Sequence, residues 1–140
     1  MILSKPNHIK IYGHRGARGV LPENTLDSFQ YLFDNDISAY ETDILISKDS
    51  IPVITHDFRL SPSLTKDSEG NWLEDEDIKI IDLTYDQISK YEVGSLNKLT
   101  KYGRRFLNQK KLPNQKIPKL NQLLDLTTQN NTSNLIINLE

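Results

Sequence analysis

Hydrophobic and polar positions along this chain follow two rhythms, one of period two and one of three and four. Ile9-Lys10-Ile11-Tyr12 alternates as a short strand does, and Gly13-His14-Arg15-Gly16-Ala17-Arg18-Gly19 ends it. Three glycines in those seven residues permit tight turns and close backbone approach to a ligand. Pro22-Glu23-Asn24-Thr25 then leads into Leu26, Phe29, Tyr31, Leu32 and Phe33. That spacing predicts a helix with Asn24 or Thr25 as N-cap, closed by Asn35-Asp36. Ser38 to Ser47 reads as a second strand, with Glu41, Asp43 and Leu45 on one face by alternation. After the turn at Lys48-Asp49-Ser50, Ile51 to Thr55 is a further extended run that delivers His56-Asp57. Pro52 suits an edge or a strand start better than a central position.

From Phe58 to about Lys116 the rhythm weakens and charge takes over. Asp67 to Asn71 reads as an exposed turn and Thr84 to Tyr91 as a short helix. Nine acids face Lys79 and Lys90 between Asp67 and Glu92, whereas Val93 to Leu124 holds eight bases and no acid. This segregation marks residues 58–116 as a small insertion outside the main core. The basic block, Lys98 to Lys119, reads as a solvated face complementing the acidic segment, with electrostatic attraction of anionic ligands or lipid head groups as the alternative. Pro118 then opens a helix with Leu120, Leu123, Leu124 and Leu126 inward, Thr127 to Asn134 reads as a polar loop, and Leu135 to Glu140 is a third strand. Strand, helix, strand, insertion, helix, strand predicts an α/β fold with a parallel sheet, starting as a barrel or an open sheet starts.

Composition narrows the function. A length of 140 residues suits one modest domain. The absence of cysteine excludes a disulfide framework, a thiolate metal site and a cysteine nucleophile. A net charge of −2 argues against a nucleic-acid partner. No apolar run reaches the roughly 18 residues that span a bilayer, and Met1 to Lys10 lacks an apolar signal core. A cytoplasmic protein without stable membrane insertion is the expectation.

Singly, Glu41-x-Asp43, His56-Asp57 and an Arg in a glycine loop say little. Together they lie at or near strand ends of a parallel α/β pattern, where such folds place their ligands. Two carboxylates two residues apart on a strand reach one hard cation, and oxygen-only ligands suit Mg²⁺ or Ca²⁺. His14 and His56 can divide proton transfer, and Arg15 offers a planar fork for phosphate. Cleavage of a phosphate ester uses all of these components.

His14-Arg15-Gly16, Pro22-Glu23-Asn24-Thr25, Glu41-x-Asp43 and Val53-x-x-His56-Asp57 resemble, in order and spacing, the glycerophosphodiester phosphodiesterase family. The resemblance continues through Leu83-Thr84, Tyr91-Glu92-Val93-Gly94 and Ile117-Pro118-Lys119-Leu120 to Asn138-x-Glu140. It implies a phosphodiesterase (β/α)₈ TIM barrel, of which this chain holds roughly the first three strands. It also implies His14 and His56 as the acid/base pair, Arg15 as the phosphate-binding residue, and Glu41, Asp43 and Glu140 as ligands of one Ca²⁺ or Mg²⁺ ion. Asn24 is expected to order the loop at the site. The implied reaction is hydrolysis of small glycerophosphodiesters to glycerol 3-phosphate and an alcohol. The alternatives are a related barrel of the phospholipase C or D type, and a remnant that binds a divalent ion without turnover. A full barrel takes about 250 residues, and the family's lysine two residues after the third metal ligand falls at position 142. Residues 1–140 are therefore expected to be the N-terminal portion of one such domain, poorly soluble or inactive alone.

Overall fold

The structure, a computed structural model, describes residues 10–75, 77–130 and 135–140. In chain order its elements are β1 (Gly13–His14), α1 (Leu26–Asp34), β2 (Ala39–Thr42), β3 (Ile44–Ile46), β4 (Pro52–Ile54), α2 (Tyr85–Ile88), α3 (Leu120–Gln129) and β5 (Ile136–Leu139). Short 3₁₀ turns cover Ile80–Asp82 and Gly103–Phe106. β1, β2 and β5 form a parallel sheet in the order β1-β2-β5, with Gly13 opposite Tyr40, His14 opposite Glu41, and Ala39 to Thr42 opposite Ile136 to Leu139.

Two strand expectations are corrected. The first strand lies further along than Ile9–Tyr12: Ile9 is outside the described residues, while Ile11 and Tyr12 are exposed and pairing begins only at Gly13. Glycine brings the backbone close to the core there: a Cβ on Gly13 would fall 2.2 Å from Leu32 Cδ1 and force that buried side chain to shift. The second strand is not continuous from Ser38 to Ser47. The chain leaves the parallel sheet at Asp43, and β3 pairs antiparallel with β4 as a separate hairpin. Leu45 consequently packs with a different set of side chains from those around Glu41.

The helices follow their sequence signals closely. Thr25 is the N-cap of α1, accepting from the Ser28 N–H at 3.3 Å and donating to the Pro22 carbonyl at 2.8 Å, and Asn35 is its C-cap. Thr84 and Gln87 form a capping box on α2. α3 runs through Thr127 to Gln129, where the sequence predicts a loop; residues 131–134 of that expected loop lie outside the described residues. Thr127 is helical because it faces inward, sharing a 2.9 Å hydrogen bond with the buried Tyr40 hydroxyl. Leu124 is 42% exposed rather than inward, lying about 100° round the helix from the buried Leu123. Gln30 of α1 and Asn130 exchange side-chain amide bonds of 3.0 Å, tying α1 to the end of α3.

Phe29, Leu32, Tyr40, Ile54, Leu123 and Ala17 form the core between sheet and helices, with Phe29 tilted on Tyr40 at 5.0 Å. A second cluster of Val53, Leu60, Ile80, Ile88 and Ile117 lies beneath residues 58–116, whose described residues add no strand to the parallel sheet. β4 divides the two clusters: alternation turns Ile54 to the first and Val53 to the second.

Candidate active site

The carboxyl ends of β1, β2 and β5 bring His14, Glu41-Thr42-Asp43 and Glu140 to one place. Glu41, Asp43 and Glu140 each offer an oxygen within 4.8 Å of the others, the first two buried and the third exposed. Backbone register sets the third: the Glu140 N–H donates to the Thr42 carbonyl at 3.0 Å and its carbonyl accepts from Ile44 at 2.9 Å. Asn138 donates to Glu140 Oε1 at 3.1 Å. Burial, and then the charge of Asp43, push the Glu41 carboxyl above its ordinary value. Its Oε1 is buried without a hydrogen-bond partner. An orphaned oxygen in an acidic cluster is satisfied by a proton or a cation, and an all-oxygen donor set fits a hard divalent ion.

Arg15 stands at the edge of this cluster in a left-handed backbone conformation, φ +54°. The turn is reinforced by Gly16 at φ +77°, whose Cα lies so close to Ser28 that a Cβ would fall 2.6 Å from Oγ. The Arg15 N–H donates to the Glu41 carbonyl at 2.9 Å and to Glu41 Oε2 at 3.1 Å. Its guanidinium gives Nη1 to Glu23 Oε1 at 2.9 Å and sets Nε 3.3 Å from Asp43 Oδ2. Burial pulls the Arg15 pKa down, but the Glu23 hydrogen bond and the charges of Glu23 and Asp43 more than offset it, leaving the pKa above normal.

Asn24 is buried at φ +54° and joins two strand-end residues. Its Nδ2 donates to Asp43 Oδ2 at 3.3 Å while its Oδ1 accepts from Thr42 Oγ1 at 3.0 Å.

The histidines are more open. His14 is half exposed with Nε2 3.4 Å from Glu41 Oε2. His56 follows β4, positioned by the Thr55 N–H on the Asp43 carbonyl at 3.1 Å, and its Nδ1 lies 2.6 Å from Asp57 Oδ1. One open pocket is lined by Asp43, His56, Asp57 and Glu140. All six residues expected from sequence thus surround the strand ends, with His14 on the Glu41 side and His56 on the Asp43 and Glu140 side.

Two further residues have no role in the sequence reading. Glu23 holds Arg15, and its place beside Asn24 in Pro-Glu-Asn-Thr is the available signal. Tyr102 donates its hydroxyl to Glu23 Oε2 from 79 positions away, and no local pattern announces it.

Comparison with known proteins agrees with this arrangement. The profile of the Glycerophosphoryl diester phosphodiesterase family matches residues 14–140. A glycerophosphoinositol inositolphosphodiesterase of Mus musculus is 31% identical over 119 residues, which are 81% of this chain and 22% of that protein. A crystal structure from Silicibacter pomeroyi assigned to glycerophosphoryl diester phosphodiesterases superposes with a TM-score of 0.89 at 35% identity, covering 97% of this chain and 47% of the other. An Oleispira antarctica phosphodiesterase, solved with the product sn-glycerol-3-phosphate, superposes with a TM-score of 0.65 at 25% identity over 94% of this chain and 44% of that one. The chain therefore spans less than half the length of these proteins, and its fold is α/β, part of a TIM barrel. With the family profile running from the first strand-end histidine to the last strand-end carboxylate, the chain belongs to the glycerophosphoryl diester phosphodiesterase family.

Proposed function

We propose that this chain carries the metal, phosphate and proton-transfer groups for metal-dependent hydrolysis of small glycerophosphodiesters to glycerol 3-phosphate and an alcohol. The observation that carries the reading is the convergence of Glu41, Asp43 and Glu140 within 4.8 Å, with one buried Glu41 oxygen unsatisfied. These three carboxylates would hold one Ca²⁺ or Mg²⁺ ion, which when bound supplies charge neutralisation at the phosphate. Arg15 presents to a phosphate oxygen the N–H groups that Glu23 does not engage. Asp57 fixes Nδ1 of His56 as the protonated nitrogen, so that Nε2 is free to take a proton. His56 and His14 share proton transfer: one deprotonates the attacking oxygen as the new P–O bond forms, and the other protonates the departing alkoxide. The Oleispira antarctica neighbour, solved with sn-glycerol-3-phosphate, supports the product assignment. Residues 58–116 are read as a small insertion within this one domain, since their buried cluster packs on the β3-β4 hairpin through Leu45 and Val53 and not on the strands of the parallel sheet.

The test is release of glycerol 3-phosphate from glycerophosphocholine with Mg²⁺ or Ca²⁺ present, by the protein carrying this sequence. His14→Ala and His56→Ala should each lower kcat by ~10²–10⁴-fold. Near-normal turnover in either variant removes that residue from proton transfer. Release of the phosphorylated alcohol in place of glycerol 3-phosphate would replace the reading with cleavage on the glycerol side.

A further inference from the structure

Residues 97–110 lie outside the parallel sheet, yet they strap the glycine loop that carries His14 and Arg15. Gln109 Nε2 donates to the Arg18 carbonyl at 2.7 Å and the Lys110 N–H to the Val20 carbonyl at 2.9 Å. Arg18 in turn lies over the Phe106 ring at 5.3 Å. The strap itself is tight: the Gly103 N–H donates to Thr100 Oγ1 at 3.0 Å, and a Cβ on Gly103 would fall 2.1 Å from the Asn97 carbonyl. Tyr102, the residue before this glycine, packs edge-on against Phe106 at 5.7 Å and sends its hydroxyl to Glu23.

Glu23 is the hinge of this contact. Its side chain is only 6% exposed, and its two oxygens are divided between two donors, Oε1 to Arg15 Nη1 and Oε2 to Tyr102. Asp43 is near Arg15 Nε, but that N–H lacks hydrogen-bond alignment, so among the described residues Glu23 is the side-chain acceptor that fixes the guanidinium plane.

We propose that Tyr102 is a positioning residue for phosphate recognition: it holds Glu23, and Glu23 holds the Arg15 guanidinium in the orientation that presents its free N–H groups to the substrate. The proposal rests on the reading of Arg15 as the phosphate-binding residue. Without the Tyr102 hydroxyl, a buried Glu23 oxygen loses its partner and the carboxylate gains freedom to rotate. Arg15 is then released toward Asp43, turning away from the substrate phosphate and occupying a carboxylate of the acidic cluster. Burial first, and then the charge of Glu23, push the Tyr102 phenol up to about 12, so it stays a donor throughout the neutral range. A segment outside the sheet would thereby tune the grip on phosphate common to every diester, without touching the alcohol that distinguishes them.

Tyr102→Phe tests this, because it removes one oxygen and keeps the ring contact with Phe106. The expected signature is a rise of about five- to twentyfold in both the KM for glycerophosphocholine and the Kd for inorganic phosphate, with kcat within about threefold. Glu23→Gln, which also preserves shape, should give the same split. In an Arg15→Lys background Tyr102→Phe should add less than about twofold, since the two act as one unit. The Arg15 guanidinium ¹H–¹⁵N signals should be sharp and restricted in the wild type and averaged in Tyr102→Phe, a readout that needs neither turnover nor ligand. Unchanged KM, Kd and Arg15 signals overturn the proposal, as does an equal effect with and without Arg15. A wild type that neither binds phosphate nor hydrolyses the diester removes the functional reading instead, while the Arg15 signals still decide whether the relay exists.

Discussion

Asn24 tests the local geometry most sharply, because its backbone and its side chain make opposite demands on any replacement. Its φ of +54° lies in the left-handed region, which costs an ordinary L-residue about 1–2 kcal/mol and glycine almost nothing. Its side chain makes two hydrogen bonds from a buried position, to Asp43 at 3.3 Å and from Thr42 at 3.0 Å. Asn24→Ala loses both bonds, at about 1–3 kcal/mol for each buried group left unsatisfied. The Asp43 bond is long and belongs at the low end of that range. Adding strain, the total comes to about 3–6 kcal/mol. Asn24→Gly loses the same bonds without the strain, against about 0.5–1 kcal/mol of extra unfolded-state entropy. The glycine variant should therefore be more stable than the alanine variant by about 0.5–1 kcal/mol, the reverse of the usual order at a non-glycine position. Urea unfolding followed by far-ultraviolet circular dichroism measures both variants, with equal m-values required for the comparison. If Asn24→Ala matches or exceeds Asn24→Gly in stability, the left-handed turn is not imposed on this residue and the argument for its strain fails.

Leu123 is fully buried in the core, so Leu123→Ala should cost about 2–5 kcal/mol, read from the shift in urea midpoint. A cost below about 1 kcal/mol would mean that α3 does not pack on the sheet as described. The Tyr102 phenol, raised from 10.0 to about 12 in the folded chain, holds its proton more tightly there than when unfolded. The stability this contributes is complete below pH 10 and is lost as pH rises through about 12, so the alkaline fall in stability should be shallower in Tyr102→Phe. Identical alkaline profiles would contradict the buried contact with Glu23. Mg²⁺ or Ca²⁺ at about 100 times its Kd should stabilise the chain by about 2.7 kcal/mol, and Glu41→Gln should abolish most of that gain in a thermal melt. An equal shift in the variant would place the ion elsewhere.

What the sequence announces and what it hides divide along physical lines. Helix α1 is legible to its caps because Thr25 and Asn35 act within four residues of the groups they satisfy. The strand-end residues are legible through family resemblance, since their types and order carry the chemistry. The break of the second strand at Asp43 is not: Ile44, Leu45 and Ile46 continue an apolar pattern, and only the antiparallel pairing with β4 shows the change of sheet. The first strand is misplaced for the complementary reason, that Ile11 and Tyr12 are apolar yet exposed. Tyr102 and its hold on Glu23 depend on how residues 97–110 cross the glycine loop, a tertiary fact with no periodic trace.

On the proposed reading, the electrostatics of the strand ends explain why metal and phosphate groups would share one site. Three carboxylates with oxygens no more than 4.8 Å apart repel one another by roughly 3 kcal/mol or more per pair at an effective dielectric constant of about 20. Arg15 cannot relieve this alone: its guanidinium hydrogen bond goes to Glu23 and its Nε lies 3.3 Å from Asp43, while only its backbone N–H reaches a Glu41 carboxylate oxygen. Burial first, and then the charge of Asp43, raise the Glu41 pKa, and taking a proton there removes one of the three charges. On the proposed reading a divalent ion removes the same repulsion while leaving every oxygen ionised to hold it. Neutralisation by the ion would then release Arg15 from balancing Asp43 and leave its fork to the phosphate. Glu23, held on its far side by Tyr102, counters the tendency of Arg15 to collapse into the acidic cluster when the ion is absent. On that reading Arg15, with its Nε 3.3 Å from Asp43, lies beside the residues that would hold the ion, and the diester anion is the ligand that would use both at once.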